Sequence, residues 1–253
     1  MGCLVFSQFA FFFFWKIPNT NNDFLHLRIQ KRNSSSTCAD PGNVVSKTSH
    51  LLQHPYDLVL HNGLFYVTDQ NGNNVIEISM GFKNARQVAV VSNPRGLTFG
   101  TDGLLYVASE KVGVVVFNVT TMQQVNVFGD IHPIDLVTYK DLIIYGVKGS
   151  KSAIHAWSTS KGSEQFMLTS DDLDHPAGMA IDGDTLYVLS QTTKQLLKWN
   201  LVTQQYLGVA IPNVKKFFFF SMFSATNSKK KNVNSCRIFL SVLRLLIVDA
   251  ISL

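Results

Sequence analysis

Three histidines of this 253-residue chain stand immediately before prolines: His54-Pro55, His132-Pro133 and His175-Pro176. A fourth proline with the same surroundings, Pro94, is preceded by Asn93. Imidazole is a common ligand for divalent metals, and three imidazoles converging on one point would suit zinc or a related ion. Asp57 and Asp135 follow two residues after their prolines and could add carboxylate oxygens to that set. The competing reading is conformational. His or Asn shapes the turn into a strand, and proline fixes φ at its start. Repetition favours the turn, because every repeated unit needs the same one; His54, His132 and His175 are carried as the metal candidates beside it. Asp171-Asp172-Leu173-Asp174 could touch a cation, although acidic loops are ordinarily just solvated. The chain has no phosphate-cradling glycine loop, nucleophile elbow or HExxH.

These residues belong to a phrase written four times: His54-Pro55-Tyr56-Asp57-Leu58, Asn93-Pro94-Arg95-Gly96-Leu97, His132-Pro133-Ile134-Asp135-Leu136 and His175-Pro176-Ala177-Gly178-Met179. The prolines are 39, 39 and 43 residues apart. A tyrosine follows each proline by 11 or 12 residues, at Tyr66, Tyr106, Tyr145 and Tyr187. A large apolar residue follows each tyrosine by the same interval, at Ile78, Phe117, Trp157 and Trp199. Within each copy, short apolar runs alternate with Gly, Asn and Asp turns, which predicts four strands. In the second copy these are 96–99, 104–109, 114–118 and 124–128; in the fourth, 178–181, 185–190, 195–200 and 205–209. No helical period competes with them.

A four-stranded antiparallel unit of about 40 residues is the blade of a β-propeller. One blade cannot bury both faces, so blades stack around an axis, and the repeated tyrosines and Phe117, Trp157 and Trp199 are expected between them. The fold class is therefore all-β, a β-propeller with about four legible four-stranded blades. The expected organisation is a non-repeat flank at 1–48, blades at 49–214 and a low-complexity flank at 215–253. Residues 25–52 and 233–248 could add irregular strands, and a four-blade arc would expose an apolar face at each end.

The phrase, with Leu104-Leu105-Tyr106-Val107, Leu186-Tyr187-Val188 and Tyr66-Val67-Thr68-Asp69, resembles the NHL-repeat superfamily of propellers and its YVTN and gluconolactonase-like relatives. The resemblance covers about residues 50–214 and implies that the four legible blades are part of an incomplete, six-bladed propeller. It implies a non-catalytic module that binds a protein or small ligand through its loops or axis. The alternative it implies is a metal-dependent enzyme like the peptide-amidating lyases, with channel-facing histidines, or like the gluconolactonases. Against the first, no catalytic Arg and Tyr stand out, Arg95 alone holding a ring-like place. Against the second, Gly96 and Gly178 interrupt the carboxylate set of Asp57 and Asp135, and no first strand carries a Glu. The expectation is accordingly no catalytic residue and no cofactor, with a divalent metal as the alternative, and a partner chain closing the open arc.

Charge and composition sharpen the boundaries. The formal net charge is +5, but the basic excess lies in the flanks and residues 49–214 are mildly acidic, a poor nucleic-acid footprint. Thirteen of the nineteen phenylalanines lie in the flanks, in runs such as Phe11–Phe14 and Phe217–Phe220. Such runs, with Lys229–Lys231, read as translated T- and A-rich DNA, an artefact of gene structure. The rival for Leu4–Trp15 is a secretory apolar segment without a charged start or a clear cleavage site. Residues 238–253 are too short and too charged to span a bilayer, so no transmembrane helix is expected. Three cysteines without a CxxC give neither a disulfide framework nor a zinc site. Asn33-Ser34-Ser35 and Asn118-Val119-Thr120 are glycosylation sequons, and a secreted location is favoured over a cytoplasmic one.

Overall fold

The computed structural model describes the backbone of residues 8–11, 52–79, 84–214, 217–227 and 238–248, and side chains over 52–79 and 84–214. The described residues contain strands and no helix, and therefore none long and apolar enough to cross a membrane. A short strand β1 (Gln8–Phe11) is followed by four antiparallel sheets of four strands each. The first blade is β2 (Pro55–His61), β3 (Leu64–Asp69), β4 (Asn74–Ser79) and β5 (Ala85–Val90). The second is β6 (Pro94–Phe99), β7 (Leu105–Ser109), β8 (Gly113–Asn118) and β9 (Gln123–Phe128). The third is β10 (Pro133–Tyr139), β11 (Leu142–Val147), β12 (Ala153–Ser158) and β13 (Ser163–Leu168). The fourth is β14 (Pro176–Asp182), β15 (Thr185–Ser190), β16 (Gln195–Asn200) and β17 (Gln205–Ile211). A further sheet orders β1, β18 (Phe217–Asn227) and β19 (Ile238–Val248).

The strands fall within one or two residues of the expected ones, except that each first strand starts at its proline. Proline is tolerated there because the first residue of a strand need not donate to the ladder. Strands β18 and β19 lie in the C-terminal flank and pair with each other and with β1, apart from the four blades. Local chemistry explains the hairpins. Asn62 and Gly63 link β2 to β3 with φ of 49° and 77°, the left-handed pair that a two-residue turn matched to strand twist requires.

The first strands β2, β6, β10 and β14 lie side by side, each against the next. Between successive blades sit three apolar cores. The first joins Tyr66 and Val75 to Leu97, Phe99 and Phe117. The second joins Tyr106 and Phe128 to Leu136, Ile143 and Tyr145, with Trp157 stacked on Phe128 at 4.2 Å. The third joins Ile144 and Ile154 to Leu186, Leu197 and Trp199. The tyrosine of each of the first three blades is thus buried in a seam, at 1–3% exposure, while Tyr187 on the last blade is half-buried. The exposed apolar end faces expected of an open arc are not seen on the first blade. Leu58, Phe65, Val67, Ile76 and Ile78, which share the face turned away from the second blade, are all buried. The outer strands β9 and β13 are exposed over most of their length, including the apolar Val125, Val127 and Met167.

Candidate functional site at the axial mouth

In every blade the register between first and second strands slips immediately after the proline, between Pro55 and Leu58, Pro94 and Leu97, Pro133 and Asp135, and Pro176 and Gly178. Such a bulge kinks the strand and re-aims a side chain. The residue after each proline lies within this slip: Tyr56, Arg95, Ile134 and Ala177. A second repeated contact defines the same end of the blades. The residue following each second strand donates its backbone N–H to the carbonyl of the pre-proline residue: Gln70 to His54, Glu110 to Asn93, Lys148 to His132 and Gln191 to His175.

The polar contacts concentrate on the first two blades. Arg95 forms an ion pair with Glu110, whose other oxygen accepts from Asn93 Nδ2. The Arg95 guanidinium also lies 4.7 Å from the centre of the Tyr56 ring, a cation–π contact. The Gln70 side-chain amide lies between His54 Nδ1 and Arg95; turned with its nitrogen to His54 Nδ1, at 2.9 Å, it would present its oxygen to Arg95 Nε and Nη2 at 3.3 and 3.2 Å. Burial pushes the Tyr56 hydroxyl up to about 12, against the pull of Arg95. Across the axis, burial and then the Lys148 charge hold His175 below the ordinary imidazole range, and Arg95 and Glu110 also act on it. The pre-proline ends of the four blades thus carry polar groups of both signs of charge, Arg95 and Lys148 among them beside Glu110.

The three candidate metal histidines share this end. For two of them the backbone gives a reason for the residue type: His132 and His175, like Asn93, are left-handed, with φ of 69°, 53° and 47°. That left-handed region is costly for most residues and is enriched in Asn, Asp and His among those other than glycine. His54 instead donates its N–H to the buried carboxylate of Asp69 at 2.6 Å. Among the described residues no three His, Cys, Asp or Glu side chains stand together in a way that could hold a metal ion. The other described histidines belong to packing: His155 stacks on Tyr145 and contacts Glu164, and His61 stacks on Phe99 at 3.8 Å.

Asp57 and Asp135 turn out to stitch blades together. Asp57 accepts from its neighbour Leu58 N–H at 2.8 Å and from Leu97 N–H of the next blade at 3.1 Å. Asp135 does the same with Leu136 at 2.9 Å and Met179 at 2.7 Å. One interruption of the carboxylate set, Gly96, acquires a steric reason. A Cβ on Gly96 would lie 2.5 Å from Asp135 Oδ1 and 2.8 Å from its Cα, so the residue facing that carboxylate has to be glycine. Threonine and serine complete the stitching: Thr68 donates to the Arg95 carbonyl at 2.6 Å, and Ser190 to those of Asp172 and Asp174 at 2.9 Å.

Tyr56, Gln70 and Glu110 were not singled out from sequence. The signal available was the one unrepeated letter inside a repeated phrase. The residue after each proline is Tyr, Arg, Ile and then Ala, in a context that otherwise barely changes.

Set against known proteins, the chain matches no family model, and no curated protein matches it in sequence. Solved structures are similar in fold. The hydrazine synthase of Kuenenia stuttgartiensis shares 15% identity over 78% of this chain, with a TM-score of 0.56, and this chain spans 64% of that one. A chain of a nidogen–laminin complex shares 13% over 87% of this chain and 89% of its own, with a TM-score of 0.55. A gluconolactonase of Xanthomonas campestris shares 10% over 76% of each chain, with a TM-score of 0.54. At such identities the likeness shows the fold: an all-β architecture of propeller blades. One fold of this kind hosts enzymes and binding proteins alike, so function is argued from the mouth itself.

Proposed function

We propose that the chain is a β-propeller interaction module of the NHL-repeat type, which binds a protein or small ligand at the axial mouth and performs no chemistry there. The observation that supports this reading is how the ionisable groups of the first strands are used. The carboxylates a metal hydrolase would draw on, Asp57 and Asp135, are committed to backbone N–H groups across blade seams. The pre-proline His132 and His175 occupy a left-handed conformation in which histidine is enriched, which gives their residue type a backbone reason. What remains towards solvent is the partly exposed Arg95–Glu110 pair beside Tyr56, a combination of guanidinium, carboxylate and ring suited to gripping a polar group of a partner.

The test places a photo-crosslinking residue at the exposed position 132, at the mouth, or at position 161, on the outer rim. One defined partner is expected from the mouth position and not from the rim, and Arg95→Ala should abolish its capture. A stoichiometric divalent metal, lost from a His132→Ala, His175→Ala double variant and accompanied by lactone or peptide-substrate turnover, would replace this reading with the metal-dependent enzyme.

A further inference from the structure

We propose that Asn118 is an N-glycan acceptor whose folded geometry leaves the attached sugar room on the outer rim, and that its structural twin Asn200 is not one. Asn118 ends β8 and opens the turn into β9. Its Oδ1 accepts from the N–H groups of Thr120 at 3.0 Å and Thr121 at 3.2 Å, and Met122 closes the turn with φ of 56°. Oδ1 is thus occupied by the backbone, while Nδ2, the atom that would be glycosylated, donates to no described residue. Asn118 is partly exposed, and Thr120, Thr121 and Met122 are all exposed. The position lies on the rim, remote in the blade from the pre-proline mouth. A bulky polar substituent there meets water.

The fourth blade repeats this turn nearly atom for atom. Asn200 Oδ1 accepts from Val202 and Thr203 N–H, both at 2.9 Å, and Gln204 closes the turn with φ of 58°. The difference is one side chain. The residue two places on is Thr120 after Asn118 and Val202 after Asn200, and only a hydroxyl at that place completes the acceptor triplet. In the reaction the co-substrate is a lipid-pyrophosphate-linked oligosaccharide. The Asn118 Nδ2–C1 bond forms as the bond from C1 to the pyrophosphate oxygen breaks. The lipid pyrophosphate leaves as the anion, and one amide proton passes to base.

The experiment translates the full chain behind a cleavable secretory leader into microsomes and follows the membrane-protected product before and after treatment with an N-glycosidase. All variants carry Asn33→Gln, which removes the other sequon. One glycosidase-sensitive step is expected. It should vanish in Asn118→Gln and equally in Thr120→Ala, which keeps Asn118 and its backbone turn. Val202→Thr should add a second step, at Asn200. A protected product without a step at Asn118 overturns the proposal, most decisively if Val202→Thr gains its own step in the same chain. A step that survives Thr120→Ala overturns it as well.

Discussion

The seams between blades and the axial mouth draw on the same residue types and use them in opposite ways. In the seams, Asp57 and Asp135 hold backbone amides of the next blade, and Gly96 is reduced to hydrogen so that Asp135 can approach. At the mouth, Arg95 and Glu110 hold each other, with 24% and 20% of their side chains exposed. A buried carboxylate bonded to N–H groups cannot be released without leaving those donors unsatisfied. A partly exposed ion pair can exchange one partner for a ligand at modest cost, because water compensates both ends. The contrast separates charges that build the fold from charges available for recognition.

The largest effect should come from the third seam. Trp199 is fully buried there, and Trp199→Ala should lower stability by about 3–5 kcal/mol, read from urea unfolding. Asp135→Ala follows, at about 3 kcal/mol, since two buried N–H groups lose a charged acceptor. An unchanged midpoint in Asp135→Ala would remove the distinction between seam and mouth. Gly96→Ala should cost about 2 kcal/mol through overpacking. Combined with Asp135→Gly it should cost somewhat less than the two single changes together, because the contact with Oδ1 is gone while those with the Asp135 Cα and the Ile134 carbonyl remain.

Acid should also loosen the first blade. Arg86, and after it the Tyr66 hydroxyl, hold the Glu77 carboxyl below the usual glutamate range through hydrogen bonds. The folded state then binds its proton less readily than the unfolded chain does. This contribution is complete above the unfolded value and is lost as pH falls through the folded one. The acid limb of a Tm–pH profile should flatten in Glu77→Gln. The smallest effect is expected at the mouth: Arg95→Ala should change stability by about 1 kcal/mol or less. Its large consequence should be the loss of partner capture, so a collapse of stability in this variant would make Arg95 a seam residue after all.

The repeat made the blades legible without coordinates. Two spacings kept through four copies place every proline, tyrosine and seam aromatic, and the strands follow from alternation and turn residues because strand period and hairpin loops are local properties. Tyr106, Phe117 and Trp199 were assigned to seams from that period, and the structure buries them there. The mouth was only half legible. His54, Asn93, His132 and His175 stand out in the sequence as a set, whereas Tyr56, Gln70 and Glu110 do not, since each meets Arg95 only once strands are paired or blades stacked, Tyr56 and Gln70 from the neighbouring blade.

Sequence alone therefore determined the all-β class, the four blades and most of the seam aromatics, Tyr187 excepted, for these rest on short-range geometry repeated at a fixed interval. Tertiary structure alone decided what the polar residues of the repeated phrase are for. Whether Asp135 faces a metal or a neighbouring amide depends on where the fourth blade puts Met179 N–H, 44 residues away. Whether Gly96 is a gap or a requirement depends on that same carboxylate approaching from the third blade. Contacts of this kind are made across the seam after the blades have stacked, and no local pattern encodes them.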